Sequence, residues 1–233
     1  MINKHDLKKF ALRHKTLLSA YRKTFGKIKT VLYFDLQKKA LQKKGFSIVR
    51  QVTETLDSAG AEFFVDGGTL LGIIRDGRLI AHDKDIDFGI HYHKDFTPGD
   101  LDREMKKLGF KRIKVFKYKG KPLEITYTNG ITHIDFFWHF EKAGRSILYT
   151  FYRNPEYEYP SANHFTPIEL HRSGVTELKK MSVDDLTVYV PANYEDYLVS
   201  AYTENWRIPD PTWTYRREEG LREIRDDFGI MVN

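Results

Sequence analysis

The stretch from Ala61 to Ile90 constrains this chain more than any other. Ala61-Glu62-Phe63-Phe64-Val65 is an apolar run with the length of a buried strand, and it stops at Asp66-Gly67-Gly68-Thr69. Leu70, Leu71, Ile73 and Ile74 then read as a short helix interrupted at Asp76-Gly77. Beyond it Ile86, Phe88 and Ile90 alternate with Asp85, Asp87 and Gly89, which is the period of a strand. A glycine turn between a strand and a helix lets a ligand approach the backbone, and the free N–H groups at a helix start attract anions. Thr69 adds a hydroxyl donor, so Gly67, Gly68 and Thr69 form a candidate phosphate-binding turn. An ordinary tight turn would look the same in isolation.

The aspartates that follow separate these readings. Asp85 and Asp87 stand two apart on a strand and project from one face, while Ile86 and Phe88 point into the core. Two carboxylates side by side repel and raise each other's pKa unless a cation lies between them, and aspartate is a poor strand former. Hard oxygen ligands suit Mg²⁺ or Mn²⁺. Asp135, in the apolar run Ile134-Asp135-Phe136-Phe137, is a charge that needs a reason and is the candidate third ligand. Asp83 shares the same face if the strand begins early. Arg75 and Arg78 follow the turn and are candidate phosphate contacts, although long basic side chains also suit a solvated surface. His91, His93 and His133 lie near the aspartates, but a mixed His–Asp metal site fits Mg²⁺ less well.

The rest of the chain is expected to surround this unit. Residues 4–44 combine Lys and Arg with Phe10, Leu17, Tyr21, Ile28 and Leu32 at helical spacing, predicting amphipathic helices broken near Gly26 and ended at Gly45. A second helix is expected over 47–58, another over 100–108, and strands over 111–119, 123–128 and 131–140. Residues 145–165 read as irregular, 183–190 as a strand, 194–203 as a helix capped by Asn193, and 216–227 as a charged helix. Trp206, Trp213 and Tyr215 suit core packing better than stacking on a base. The expected organisation is a basic helical arm over 1–45 and one mixed α/β domain over 46–233.

Charge divides along the same line. Residues 1–50 carry 14 Lys and Arg against Asp6 and Asp35, whereas the remaining chain holds 24 basic and 30 acidic side chains. A basic arm on an acidic body suits a solvated helix, an anionic membrane surface or a polyanionic acceptor. Nucleic acid is disfavoured, since the arm has no recognition motif beyond charge. Cysteine is absent, which rules out disulfides and thiolate metal sites. No apolar run reaches the length of a membrane span, so a cytoplasmic protein, peripheral at most to the inner membrane face, is expected.

Phe64-Val65-Asp66-Gly67-Gly68-Thr69-Leu70-Leu71-Gly72-Ile73-Ile74-Arg75, then Ile80-Ala81-His82-Asp83-Lys84-Asp85-Ile86-Asp87, resembles the LicD/fukutin-type phosphotransferases of the nucleotidyltransferase-fold superfamily. Val190-Pro191-Ala192-Asn193 through Trp206 to Pro209 is similar to that family's C-terminal segment, and the likeness spans about residues 46–213. Two departures stand out. The family usually has Trp-Asp-Asp-Asp-Ile-Asp over 82–87, so Lys84 replaces an acid, and Thr203 replaces the glycine of Tyr-Gly-x-x-Trp. The resemblance implies a nucleotidyltransferase-like fold with flanking helices. It also implies transfer of phosphocholine, glycerol phosphate or ribitol phosphate from a CDP-linked donor to a glycan or lipid-linked oligosaccharide in surface polysaccharide or capsule synthesis. The residues alone reach a metal-dependent reaction on a phosphate ester or anhydride, and transfer of NMP from an NTP with pyrophosphate release is the alternative.

Overall fold

A computed structural model describes residues 15–93 and 95–233, with side chains from residue 32 onward, Arg216 excepted. The first helix, α1, runs unbroken over Lys15–Ser58. The stops expected at Gly26 and Gly45 are absent, because a helical glycine costs only about 1 kcal/mol, too little by itself to end a long helix. Gly45 serves packing instead: a Cβ there would lie 2.2 Å from Leu79 Cδ1. Leu41, 1 % exposed, already belongs to the core, and the Gln37 amide donates to Ile131 O at 3.1 Å. The expected stripe over Phe10, Leu17, Tyr21 and Ile28 lies outside the described side chains.

The order continues with β1 (Phe63–Val65), α2 (Gly67–Asp76), β2 (Asp85–His91), α3 (Pro98–Lys107), β3 (Lys111–Tyr118), β4 (Lys121–Thr128) and β5 (His133–Lys142). These strands form a mixed sheet in the order β1-β2-β5-β4-β3, with β2 and β5 parallel. Ile86, Phe88, Ile90, Ile134, Phe136 and Trp138 cover one face and pack with Ile48, Val52 and Leu56 of α1 and Leu101 and Met105 of α3. Burial of this face drives the assembly and turns its polar residues to the opposite side.

Beyond β5 the sequence signals hold only in part: the strand expected over 183–190 lies at Leu186–Pro191 and the helix expected over 194–203 at Tyr194–Tyr202, but other elements differ. The stretch expected to be irregular contains β6 (Arg145–Tyr152), followed by β7 (His164–Ser173), β8 (Leu178–Val183), β9 (Leu186–Pro191) and α4 (Tyr194–Tyr202). Phe151 of β6 stacks on Phe116 of β3 at 4.9 Å and 6°, a long-range contact that local composition does not reveal. Asn193 stands at the N-cap of α4 but makes no capping bond; its Nδ2 donates to Ser173 Oγ and Gly174 O instead. The helix expected over 216–227 is absent. In its place lie a 3₁₀ turn (Tyr215–Arg217), β10 (Leu221–Glu223) and β11 (Gly229–Val232). Pairing of β10 with β7 and of β11 with both β3 and β7 outweighs the helical propensity of the charged residues. Hydrogen-bonded neighbours β5-β4-β3-β11-β7-β6 return to β5, so six strands close into a ring around Phe116, Leu123 and Phe151. The fold is α/β with a mixed sheet, flanked by helices.

Candidate active site

The polar face of the sheet collects the predicted acids. Register makes Asp87 of β2 and Asp135 of β5 direct partners, and Asp135 in turn faces Thr126 of β4. Neighbouring strands lie about 4.8 Å apart, so these carboxylates cannot avoid one another. Burial first, then Asp85, Asp135, Asp66 and Asp83, pushes the Asp87 carboxyl well above the usual range. Burial and Asp85 raise Asp135 to about 6, against relief from the Thr126 hydroxyl, which donates to Asp135 Oδ1. Among the described residues, no group of three or more His, Asp or Glu side chains is already disposed to hold a metal ion. The row is a set of mutually repelling oxygen donors.

The glycine turn is fitted to these acids. Asp66 caps α2, its side chain accepting from Gly67 N–H, and Gly67 has φ +50°. A Cβ on Gly67 would lie 2.6 Å from Asp87 Oδ2, and one on Gly68 2.7 Å from Asp83 Oδ2. Gly68 N–H donates to Asp87 Oδ2 at 3.2 Å. Thr69, expected to face a ligand, is 1 % exposed and accepts from Asp87 N–H at 2.9 Å, so its hydroxyl staples α2 to β2. The two glycines thus make room for carboxylates as well as for any ligand.

Asp83 joins the group: burial and Asp85 raise it to about 7, with Arg75 and Lys84 opposing. Lys84 faces the other way, its ammonium 4.4 Å from the centroid of the Phe34 ring on α1. Replacement of an acid by Lys84 therefore leaves the carboxylate face intact. Arg75 makes a two-pronged pair with Asp76 at 2.9 and 2.8 Å. Of the histidines, His133 meets the Tyr33 hydroxyl at 3.4 Å, and His91 approaches Glu62 at 3.6 Å; neither joins the aspartates as part of a metal-holding group. Trp206 is buried in the core, Trp213 packs against Tyr202, and Tyr215 against the Leu148, Ile168 and Leu170 cluster.

Two features escaped the sequence reading. Glu124, two residues from Thr126 on the same strand face, is 8 % exposed and is raised to about 8 by burial and Asp135. Its signal was a lone acid between Leu123 and Ile125. The second is a buried ionic network on Asp66, which joins Arg172 of β7 at 2.9 Å and Tyr197 of α4 at 2.8 Å. The sequence placed Asp66 only at the end of the strand, before the glycine turn. The surface hollow lined by Glu54, Thr55, Ser58, Ala59, Glu104 and Lys107 lies between α1 and α3, on the far side of the sheet from the carboxylates.

The mixed α/β fold agrees with the comparisons. Residues 60–193 match the family described as LicD/FKTN/FKRP, nucleotidyltransferase domain. The chain is similar to ribitol-5-phosphate transferase FKTN of Mus musculus, 25% identical over 188 residues, covering 75% of this chain and 36% of that protein. The Homo sapiens protein of the same name is 22% identical over 183 residues, with 76% and 36% covered. The chain thus spans about a third of the length of the relatives it matches. With more than half of its length inside the matched domain, and the glycine turn and its acids inside that half, the chain belongs to the LicD/FKTN/FKRP nucleotidyltransferase-domain family.

Proposed function

We propose that the chain is a divalent-cation-dependent phosphotransferase that moves a phospho-alcohol from a CDP-activated donor to a hydroxyl of a glycan or lipid-linked oligosaccharide. One observation carries this reading: the parallel β2–β5 pairing sets Asp87 against Asp135, with Asp83 and Asp85 alongside and the glycine turn pressed on the row. The oxygen-only donor set suits Mg²⁺ or Mn²⁺, and a cation would relieve the repulsion that raises these carboxyls. Asp85, Asp87 and Asp135 are the residues that would hold it. When bound, the ion neutralises charge on the transferred phosphoryl group and the leaving CMP.

The remaining work falls to the chain itself. Gly67 and Gly68 let the donor diphosphate approach the backbone, and Thr69 keeps α2 fixed against β2. Arg75 would exchange Asp76 for a phosphate oxygen. The acceptor oxygen bonds to the phosphorus that carries the alcohol, the bond from that phosphorus to CMP breaks, and the hydroxyl proton passes to a carboxylate. Asp135 either completes the cation's ligand set or takes this proton, and a carboxyl raised to about 6 suits the second task.

Ribitol phosphate, named in the fukutin relatives, is the first group to test, with glycerol phosphate and phosphocholine beside it. We place the reaction in cell-surface polysaccharide synthesis at the cytoplasmic membrane face. Residues 1–45 would act as a peripheral contact: Leu32 and Leu36 are exposed at helical spacing with Lys39 and Lys43. None of the described helices is long and apolar enough to cross a membrane. The test is ³¹P NMR of the full chain with Mg²⁺ and CDP-ribitol, CDP-glycerol or CDP-choline. CMP should appear with one of them and vanish in Asp85→Asn and Asp87→Asn at unchanged fold. Pyrophosphate release from an NTP, with no CMP from any donor, would replace this reading by nucleotidyl transfer.

A further inference from the structure

Asp66, the residue before the glycine turn, is 1 % exposed and carries an unusual load. Its Oδ1 accepts from Gly67 N–H at 2.7 Å, from Arg172 Nη1 at 2.9 Å and from the Tyr197 hydroxyl at 2.8 Å. Its Oδ2 lies 3.0 Å from His139 Nε2, whose other ring nitrogen lies 3.0 Å from Ser146 Oγ. Gly89 makes room for this histidine, since a Cβ there would stand 2.9 Å from Nε2. Arg172, itself 6 % exposed, donates onward through Nε and Nη2 to both oxygens of Glu218 at 3.2 and 3.0 Å. Five segments meet here: the β1–α2 turn, β5, β7, α4 and the 3₁₀ turn.

Stability alone is a weak reason for such a network. Apolar residues of similar volume commonly serve a core as well as a buried ion pair does, because each charge loses its hydration. The value of this pair lies in direction. Asp66 faces Gly67 N–H, the next N–H (Gly68) binds Asp87 Oδ2, and Thr69 Oγ1 takes the Asp87 N–H. Burial by itself would raise Asp66, but Arg172, His139 and Tyr197 hold it well below the usual carboxylate range, so it stays an acceptor. Glu218, paired with Arg172, is raised instead, by burial first and then by Asp66.

We propose that Arg172 is a positioning residue for the carboxylate site: through Asp66 it locks the Gly67–Gly68 turn against Asp87, and with Tyr197 and Glu218 it makes residues 194–218 part of the catalytic unit. Both of those partners lie beyond the matched residues 60–193. The consequence for cation binding rests on the reading that Asp87 holds a divalent ion; the locking of the turn does not.

Two measurements on the full chain separate these claims. The first is amide hydrogen exchange of Gly67 and Gly68 without metal. Arg172→Met should speed it at least about tenfold relative to Ile125 and Phe136 in the sheet core, and Arg172→Lys should recover part of the protection. The second is Mg²⁺ calorimetry. By Coulomb's law, removing a cation should tighten Mg²⁺ binding; loss of positioning should weaken it, by about tenfold or more. If Arg172→Met does not fold, Glu218→Gln keeps Arg172 and Asp66 and should still speed exchange at both glycines. Unchanged exchange in a folded variant overturns the proposal, as does Mg²⁺ binding equal to or tighter than that of wild type. Faster exchange with no Mg²⁺ binding by the wild type sinks the cation reading and leaves the lock standing.

Discussion

Without metal, this protein should become less stable as the pH rises toward neutrality. Asp135 is raised from 3.8 to about 6 and Asp83 from 3.8 to about 7, in both cases by burial and then by Asp85. Above pH 4 the unfolded chain releases these protons first, so the folded state binds more protons and its stability falls with rising pH. For these two groups the loss is complete once the pH passes about 7; Glu124, raised to about 8 by burial and Asp135, and Asp87, raised by burial and Asp85, extend it in the same direction to higher pH. Each pKa unit is worth about 1.4 kcal/mol, so between about pH 5 and 7.5 the two groups together should cost on the order of 3–4 kcal/mol. For a chain of this size that lowers Tm by about 10 °C. His91, lowered by burial and by His139, works in the opposite direction over part of the same window. Asp66 gains its stabilisation below this window, since its carboxyl is held low. The assay is a thermal melt in EDTA at both pH values, repeated with Mg²⁺ and with Asp135→Asn. Mg²⁺ should flatten the dependence, and the variant should make it shallower. A Tm in EDTA that is flat or rises with pH, and is indifferent to Asp135→Asn, would refute the reasoning.

Two further substitutions probe the same face. Gly67→Ala sets a methyl 2.6 Å from Asp87 Oδ2 at φ +50°, and Gly68→Ala sets one 2.7 Å from Asp83 Oδ2. Each should lower stability by about 1–3 kcal/mol and reduce CMP release at least tenfold, read by melts and ³¹P NMR. Lys84→Asp restores an acid on the face turned toward Phe34. It should leave CMP release within about twofold of wild type, and a loss beyond tenfold would place Lys84 in the site.

Much of this site is local and could be read from the chain. The alternation from Asp85 to Ile90 settles which side chains share a face, because strand geometry repeats every two residues whatever surrounds it. A strand, two glycines and a short helix likewise announce a close approach of backbone to something else. The basic first 50 residues and the mixed α/β order follow from residue type and period alone. Partnership needed the tertiary structure. That Asp135 faces Asp87, that six strands close a ring, and that Arg172, Tyr197 and Glu218 converge on Asp66 all join residues far apart in sequence. Gly45 shows the same limit in reverse: its local signal is a stop, yet contact with Leu79 makes it a packing site within an unbroken helix. Backbone geometry sets the period of each segment, whereas hydrophobic burial and strand pairing choose the neighbours, and those energies depend on the whole chain at once.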